Sequence, residues 1–118
     1  MPWKDALASG SELVLVTSSK KGLPNANVVI SKGFVGNRLL INNCQMNLTL
    51  KNILENGSVC VIARANGGYY RIAGKAKSYS SGKYFVAAKK REKVYPVKSA
   101  IIIRIENVFD LDKAKQLL

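Results

Sequence analysis

One stretch limits the fold more than any other: residues 39–62, LLINNCQMNLTLKNILENGSVCVI. The apolar run Leu39 to Ile41 suits a strand and ends in the polar or soft residues Asn42 to Met46. Asn47, Leu48 and Thr49 then lead into Leu50, Ile53 and Leu54, apolar at the three- and four-residue spacing of one helix face. Gly57 is placed to end that helix, as a residue tolerant of positive φ does. Ser58 to Ile62 is apolar again. The chain is thus expected to run strand, polar loop, helix, strand, with no long connection. A helix start in that setting carries free amide groups that favour an anion, most often a phosphate. Gln45, Asn47 and Thr49 would add side-chain donors without adding charge. An ordinary N-cap beside a polar loop explains the same residues, and local sequence alone favours that plainer account.

The rest of the chain divides at clear turn signals. Pro2 to Ser9 reads as a short opening helix, with Gly10 just past its end. Glu12 to Thr17 reads as a buried strand, and Ser18 to Gly22 as a polar turn. Asn25 to Val35 forms a second strand that returns through Gly36-Asn37 into Arg38 to Ile41, a hairpin. The helix Thr49 to Asn56 follows, then a fourth strand, Ser58 to Arg64. Asn66-Gly67-Gly68 turns the chain into a fifth strand, Tyr69 to Tyr79. Ser81 caps a helix reaching Arg91. Beyond Pro96, Ser99 to Val108 is a sixth strand with Ile101, Ile103 and Ile105 on one side and Ile102 and Arg104 on the other. Leu111 to Leu118 is expected to make a last short helix. Six short strands with two or three small helices in one domain predict a mostly β fold, a six-stranded antiparallel barrel with helical caps.

Size and composition fit this. With 118 residues, 47% of them hydrophobic, the chain can bury a core without disulfides. It shows neither a run long enough to span a bilayer nor the roughly 7–15-residue apolar core of a signal peptide. Two cysteines and no histidine leave no ligand set for structural zinc, and both thiols are expected to be reduced in a cytoplasmic protein. Nineteen Lys and Arg against seven Asp and Glu give a formal charge of +12, which favours anionic company. The basic residues are spread along the chain except between Lys83 and Lys98, and that spread argues against a nucleic-acid partner. No Ser/His, Cys/His or paired-carboxylate constellation offers a catalytic centre.

Taken together, the pieces LVLVTSS, KKGLPNANVVISKGF, NNCQMNLTLKNILENGSVCV and GGYYRIAGKAKSY, in this order and spacing, resemble the FMN-binding split barrels, the fold of the pyridoxamine 5′-phosphate oxidase family. The resemblance covers roughly residues 11 to 109 and is nearest to the small FMN-binding proteins. It implies that Gln45, Asn47 and Thr49 face the FMN phosphate, with Asn52 supporting the helix. It implies that the isoalloxazine ring lies along Asn27, Val28, Val29, Ile30 and Ser31, bonded by their backbone, and that Asn43 and Cys44 approach its other side. A homodimer with flavin at the seam is implied too, with Tyr69, Tyr70 and Tyr95 as candidate contributions from the second subunit.

Two departures qualify the match. Many family members carry Lys or Arg just before the helix, where this chain has Leu48, so the phosphate loses a charge-assisted bond. The oxidase branch uses a C-terminal Arg/His pair, and the tail DLDKAKQLL lacks it, which argues against pyridoxamine oxidation. The expected function is an FMN-binding flavoprotein, an electron carrier or flavin-dependent oxidoreductase of flavin-reductase type, with an unidentified redox partner. A deazaflavin-binding module and a basic nucleic-acid-binding domain are the alternatives.

Overall fold

A computed structural model describes residues 2–118. Its elements in chain order are α1 (Pro2–Asp5), β1 (Glu12–Ser18), β2 (Pro24–Val35), β3 (Arg38–Asn43), α2 (Asn47–Glu55), β4 (Ser58–Ala65), β5 (Gly68–Tyr79), α3 (Gly82–Arg91), β6 (Ser99–Asp110) and β7 (Lys115–Gln116). The strands lie in the order β3-β2-β1-β4-β5-β6-β7, all antiparallel neighbours, and β3 also pairs with β6. That last pairing closes six strands into a barrel, as the sequence predicted, and leaves β7 as a short addition on β6.

Period-2 alternation fills the interior. Leu13 and Leu15 of β1, Val29 of β2, Leu39 and Ile41 of β3, Val59 and Val61 of β4, Ile72 of β5, and Ile101 and Ile103 of β6 all point inward and pack with Trp3 and Leu7. A second, smaller core lies outside the barrel wall. There α3 covers Leu40, Ala100 and Ile102 through Ala88, so the two-sided reading of the sixth strand is borne out.

Two backbone details hold the barrel in shape. Gly74 sits at a bulge between β5 and β6, where an added Cβ would lie 2.2 Å from the Arg104 carbonyl oxygen; only glycine fits. Opposite, β2 bulges between Ser31 and Phe34, and the Arg91 guanidinium donates to the carbonyls of Lys32 (2.9 Å) and Phe34 (3.0 Å) across that irregularity.

Several local expectations are corrected. The opening helix is a single turn ending at Asp5. Helix α2 starts at Asn47, its N-cap is Met46, and no side chain caps it; Ser81 likewise makes no capping bond to α3. Gly57 does not take positive φ. The α2 cap is Asn56 in extended conformation, and Gly57 lies where a Cβ would come 3.1 Å from the Ala76 carbonyl oxygen. The tail is not helical. The Asp110 carboxylate accepts the amides of Asp112 and Lys113, Ala114 turns with φ +52°, and the chain returns along β6 as β7.

Candidate functional site

The barrel opens where β2 and β3 part. Strand β2 pairs with β1 from Pro24 to Ile30, but with β3 only at Ser31, Phe34 and Val35. Along Pro24–Ile30 its other edge therefore has no neighbouring strand among the described residues, and its outward-facing amides and carbonyls are available to a ligand. Ser31 ends the free stretch: its amide donates to the Ser11 carbonyl, its carbonyl accepts from Gly10, and its hydroxyl donates to the Leu7 carbonyl. Ser31 is thus part of the wall behind the cleft.

Across the opening lies the loop that follows β3. Val28, Val29, Ile30 and Lys32 form one side of a cavity of about 420 Å³, and Asn42, Cys44, Gln45, Met46, Glu92, Val94 and Tyr95 form the other. A second cavity of about 460 Å³ adjoins it through Cys44, Gln45 and Tyr95, and adds Asn47, Pro96 and Lys98. The structure thus brings Val28, Val29, Ile30, Cys44, Gln45 and Asn47 to one continuous cleft at the start of α2.

The remaining predicted residues stand behind that surface. Thr49 is 1% exposed. Its hydroxyl donates to Asn27 Oδ1, and it accepts from Asn25 Nδ2 at 3.2 Å, so it ties the first turn of α2 to the free stretch of β2. Asn52 is equally buried and donates to the Thr17 hydroxyl at 3.1 Å. Asn43 shapes the loop: Oδ1 accepts the Met46 amide at 2.7 Å while Nδ2 donates to Ser99 Oγ. The inward face of α2 is therefore Thr49, Asn52 and Ile53, and Leu54 is 71% exposed. The apolar spacing misjudged this face because hydrogen-bonded polar groups, not leucines, are what it buries.

Apart from Tyr95, named as a contribution from a second subunit, sequence reasoning missed the segment Glu92–Lys98, which crosses from the end of α3 to β6 and forms the far wall. Glu92 organises it. One carboxylate oxygen accepts the amides of Val94 (3.2 Å) and Tyr95 (3.4 Å); the other meets Lys32 Nζ at 3.4 Å and Asn42 Nδ2 at 3.5 Å. Burial alone would raise the carboxyl pKa, but the two amides, Asn42 and Lys32 outweigh it and hold the group down to about 2. Beside it the Cys44 thiol is raised, first by burial and then by the Glu92 charge, so it is not poised as a nucleophile. Lys98 reaches the cleft from the same segment, its amide bonded to the Asn43 carbonyl at 2.9 Å. No local pattern announces this wall: Cys44 and Glu92 meet across 48 positions of sequence.

Outside the cleft, the barrel carries an uncovered apolar face. Val28, Val14 and Ile62 lie side by side on β2, β1 and β4, and Ala26, Val16, Cys60 and Ala73 form the next row. Val28 is 71% exposed and belongs to both this face and the cleft. Tyr70, by contrast, is part of the barrel core and Tyr95 lines the cleft of its own chain.

The family profile described as pyridoxamine 5′-phosphate oxidase matches residues 3–112. The chain belongs to the pyridoxamine 5′-phosphate oxidase family. An uncharacterized protein of Methanocaldococcus jannaschii is 33% identical over 114 residues, spanning 86% of this chain and 74% of that protein. Among solved structures, HupZ of group A Streptococcus superposes with a TM-score of 0.82 at 25% identity, over 98% of this chain and 95% of that one. An FMN-binding protein from Syntrophomonas wolfei gives 0.74 at 16% identity, over 92% and 80%. The two structural likenesses show that the fold of nearly the whole chain recurs in those proteins. Among the described residues, no helix is long and apolar enough to cross a membrane.

Proposed function

We propose that this member of the pyridoxamine 5′-phosphate oxidase family is an FMN-binding flavoprotein, serving as an electron carrier or a flavin-dependent oxidoreductase with a separate redox partner. The observation that carries the reading is the cleft itself: a strand edge without a neighbour, facing a helix start without a side-chain cap. A planar, polar-edged ring satisfies the first and a phosphate the second. The wall also holds an unmet acceptor, Asn42 Oδ1.

In this reading the backbone of Asn27, Val28, Val29 and Ile30 holds the ring edge. The loop Asn43-Cys44 closes on the ring from the other side. Gln45, Asn47 and the first amides of α2 hold the phosphate. Thr49 and Asn52 position that helix through Asn27 and Thr17, while Ser31 bounds the ring site. Lys98 supplies the cation that Leu48 does not, from a different part of the chain. Tyr95 and Val94 line the far wall of the cleft. Bound FMN supplies the electron or hydride transfer; the protein contributes binding, orientation and shielding.

A second copy of the chain is the proposed cover for the apolar face of β1, β2 and β4. That face runs into the cleft at Val28, so a dimer would seal both. A bare apolar face of this kind marks an association surface.

The test is an absorption spectrum of purified protein before and after adding FMN and removing the excess, combined with sedimentation. Visible flavin bands at one flavin per chain, on a dimer, are expected. A colourless protein after FMN, with retention of a deazaflavin instead, would transfer the cleft to that cofactor. A colourless protein with both would end the flavin reading.

A further inference from the structure

Folding gathers basic residues that the chain spreads out. Lys75 of β5 lies directly opposite Arg104 of β6, and Arg38 of β3 flanks Arg104 one step beyond the Leu39–Ile103 pair. Lys77 follows on the same face of β5. These four cations line a shallow groove of about 390 Å³ outside the barrel wall, away from the cleft residues. Like charges directly opposite on neighbouring strands destabilise a sheet. Among the described residues only one anion answers them: Glu106, bonded to Arg104 at 3.0 Å, with both side chains exposed. Lys75 makes its own bond to the Ser58 hydroxyl, not to a carboxylate.

The groove continues into aromatic rings. Tyr79, two residues past Lys77, is half-buried at the groove's end and lies 5.0 Å from Tyr84 of α3, centroid to centroid. Lys83 Nζ sits 5.1 Å from the Tyr84 centroid. Neighbouring strands are about 4.8 Å apart, so the row from Arg38 to Lys75 spans roughly 10 Å before Lys77 and the tyrosines extend it. A line of cations leading to two half-buried tyrosine rings suits an extended chain of phosphates with an unstacked base more than a single compact anion.

We propose that this outer face of β3, β6 and β5 binds single-stranded nucleic acid, with Arg38, Arg104, Lys75 and Lys77 on the phosphates and Tyr79 beside a base. The site is independent of the flavin cleft. It also differs from the Lys83–Lys98 cluster that stands out in sequence, because the decisive row comes from three strands distant in the chain.

Fluorescence anisotropy with a labelled oligothymidine at low and rising salt tests it. Binding is expected to weaken with salt at a log–log slope of about −2 to −3, as three or four phosphate contacts on a single strand require. The pair Lys75→Glu with Arg104→Glu is expected to lower affinity at least tenfold, and the milder Lys77→Gln two- to fivefold. The pair Lys89→Glu with Lys90→Glu on α3 makes an equal change in net charge and is expected to have little effect. Equal losses in both double variants would show diffuse attraction by net charge and overturn the site. So would absence of binding at low salt, or displacement of the oligonucleotide by equimolar inorganic tripolyphosphate. Flavin retention by the same variants keeps this result separate from the cofactor reading.

Discussion

Along one edge, β3 pairs with β6 for five consecutive residues, Leu39 to Asn43. Along the other it meets β2 near Ser31–Ile41 and then parts from it. The two seams of one strand therefore do opposite work. The sealed seam satisfies its backbone groups with each other, and its side chains, Leu39, Ile41, Ile101 and Ile103, are fully buried. The open seam leaves backbone groups of β2 to be met by something else, and its far wall is supplied by polar side chains and by the segment Glu92–Lys98. Sealing makes the barrel; the gap makes the cleft.

The largest test strikes the sealed side. Gly74→Ala would drive a Cβ into the Arg104 carbonyl at the bulge between β5 and β6, and is expected to cost about 3 kcal/mol or more. A urea titration followed by the fluorescence of Trp3, the single tryptophan and a buried one, reads this directly. An unchanged midpoint would mean that the bulge yields and that this seam is not the rigid one.

The next test concerns Glu92, which holds the wall of the open seam. Its side chain is 9% exposed. Its carboxyl is depressed from 4.5 to about 2 in the fold, so the ionised form favours the native state. That contribution is present above pH 4.5 and fades as pH falls from there toward about 2. Glu92→Gln is expected to lose about 2 kcal/mol at neutral pH and to flatten this part of the stability profile. A wild-type profile that is already flat between pH 5 and 3 would contradict the role given to the carboxylate.

Lys98→Ala sharpens the comparison on the ligand side. With Lys98 as the phosphate's cation, FMN affinity is expected to fall about tenfold, roughly 1.4 kcal/mol, while the urea midpoint moves little. Unchanged affinity would return the phosphate to the α2 amides alone. The smallest effect is expected at Leu54. Since it points outward, Leu54→Ala should stay within about 0.5 kcal/mol of wild type, whereas a loss of several would restore the helix face expected from apolar spacing.

That contrast shows what was legible. Most strands were readable from alternation and β3 from its apolar run, and the hairpin turns because Gly36 and Asn66-Gly67 take positive φ. The loop into α2 was readable as a polar break between apolar runs. The face of α2 was not, because Thr49 and Asn52 are buried by bonds to Asn27 and Thr17, partners no helical period reveals. The wall Glu92–Lys98 was hidden for a related reason: its partners, Lys32, Asn42 and Cys44, lie on strands and a loop far upstream. The tail reads as helix by composition, yet Asp110 captures the amides that would have started one.

The sealed seam also governs how the molecule must assemble. Pairs such as Leu39 with Ile103 join residues from opposite halves of the chain, so the barrel shuts only after a long loop has been closed. Non-local pairing of this kind sets the pace of folding, and refolding is expected in the millisecond-to-second range, not in microseconds. Until β6 arrives, the edges of β3 and β5 that it will join lie bare. During that interval the nascent protein is most exposed to pairing with another copy of itself, and the docking of β6 covers both of those edges at once.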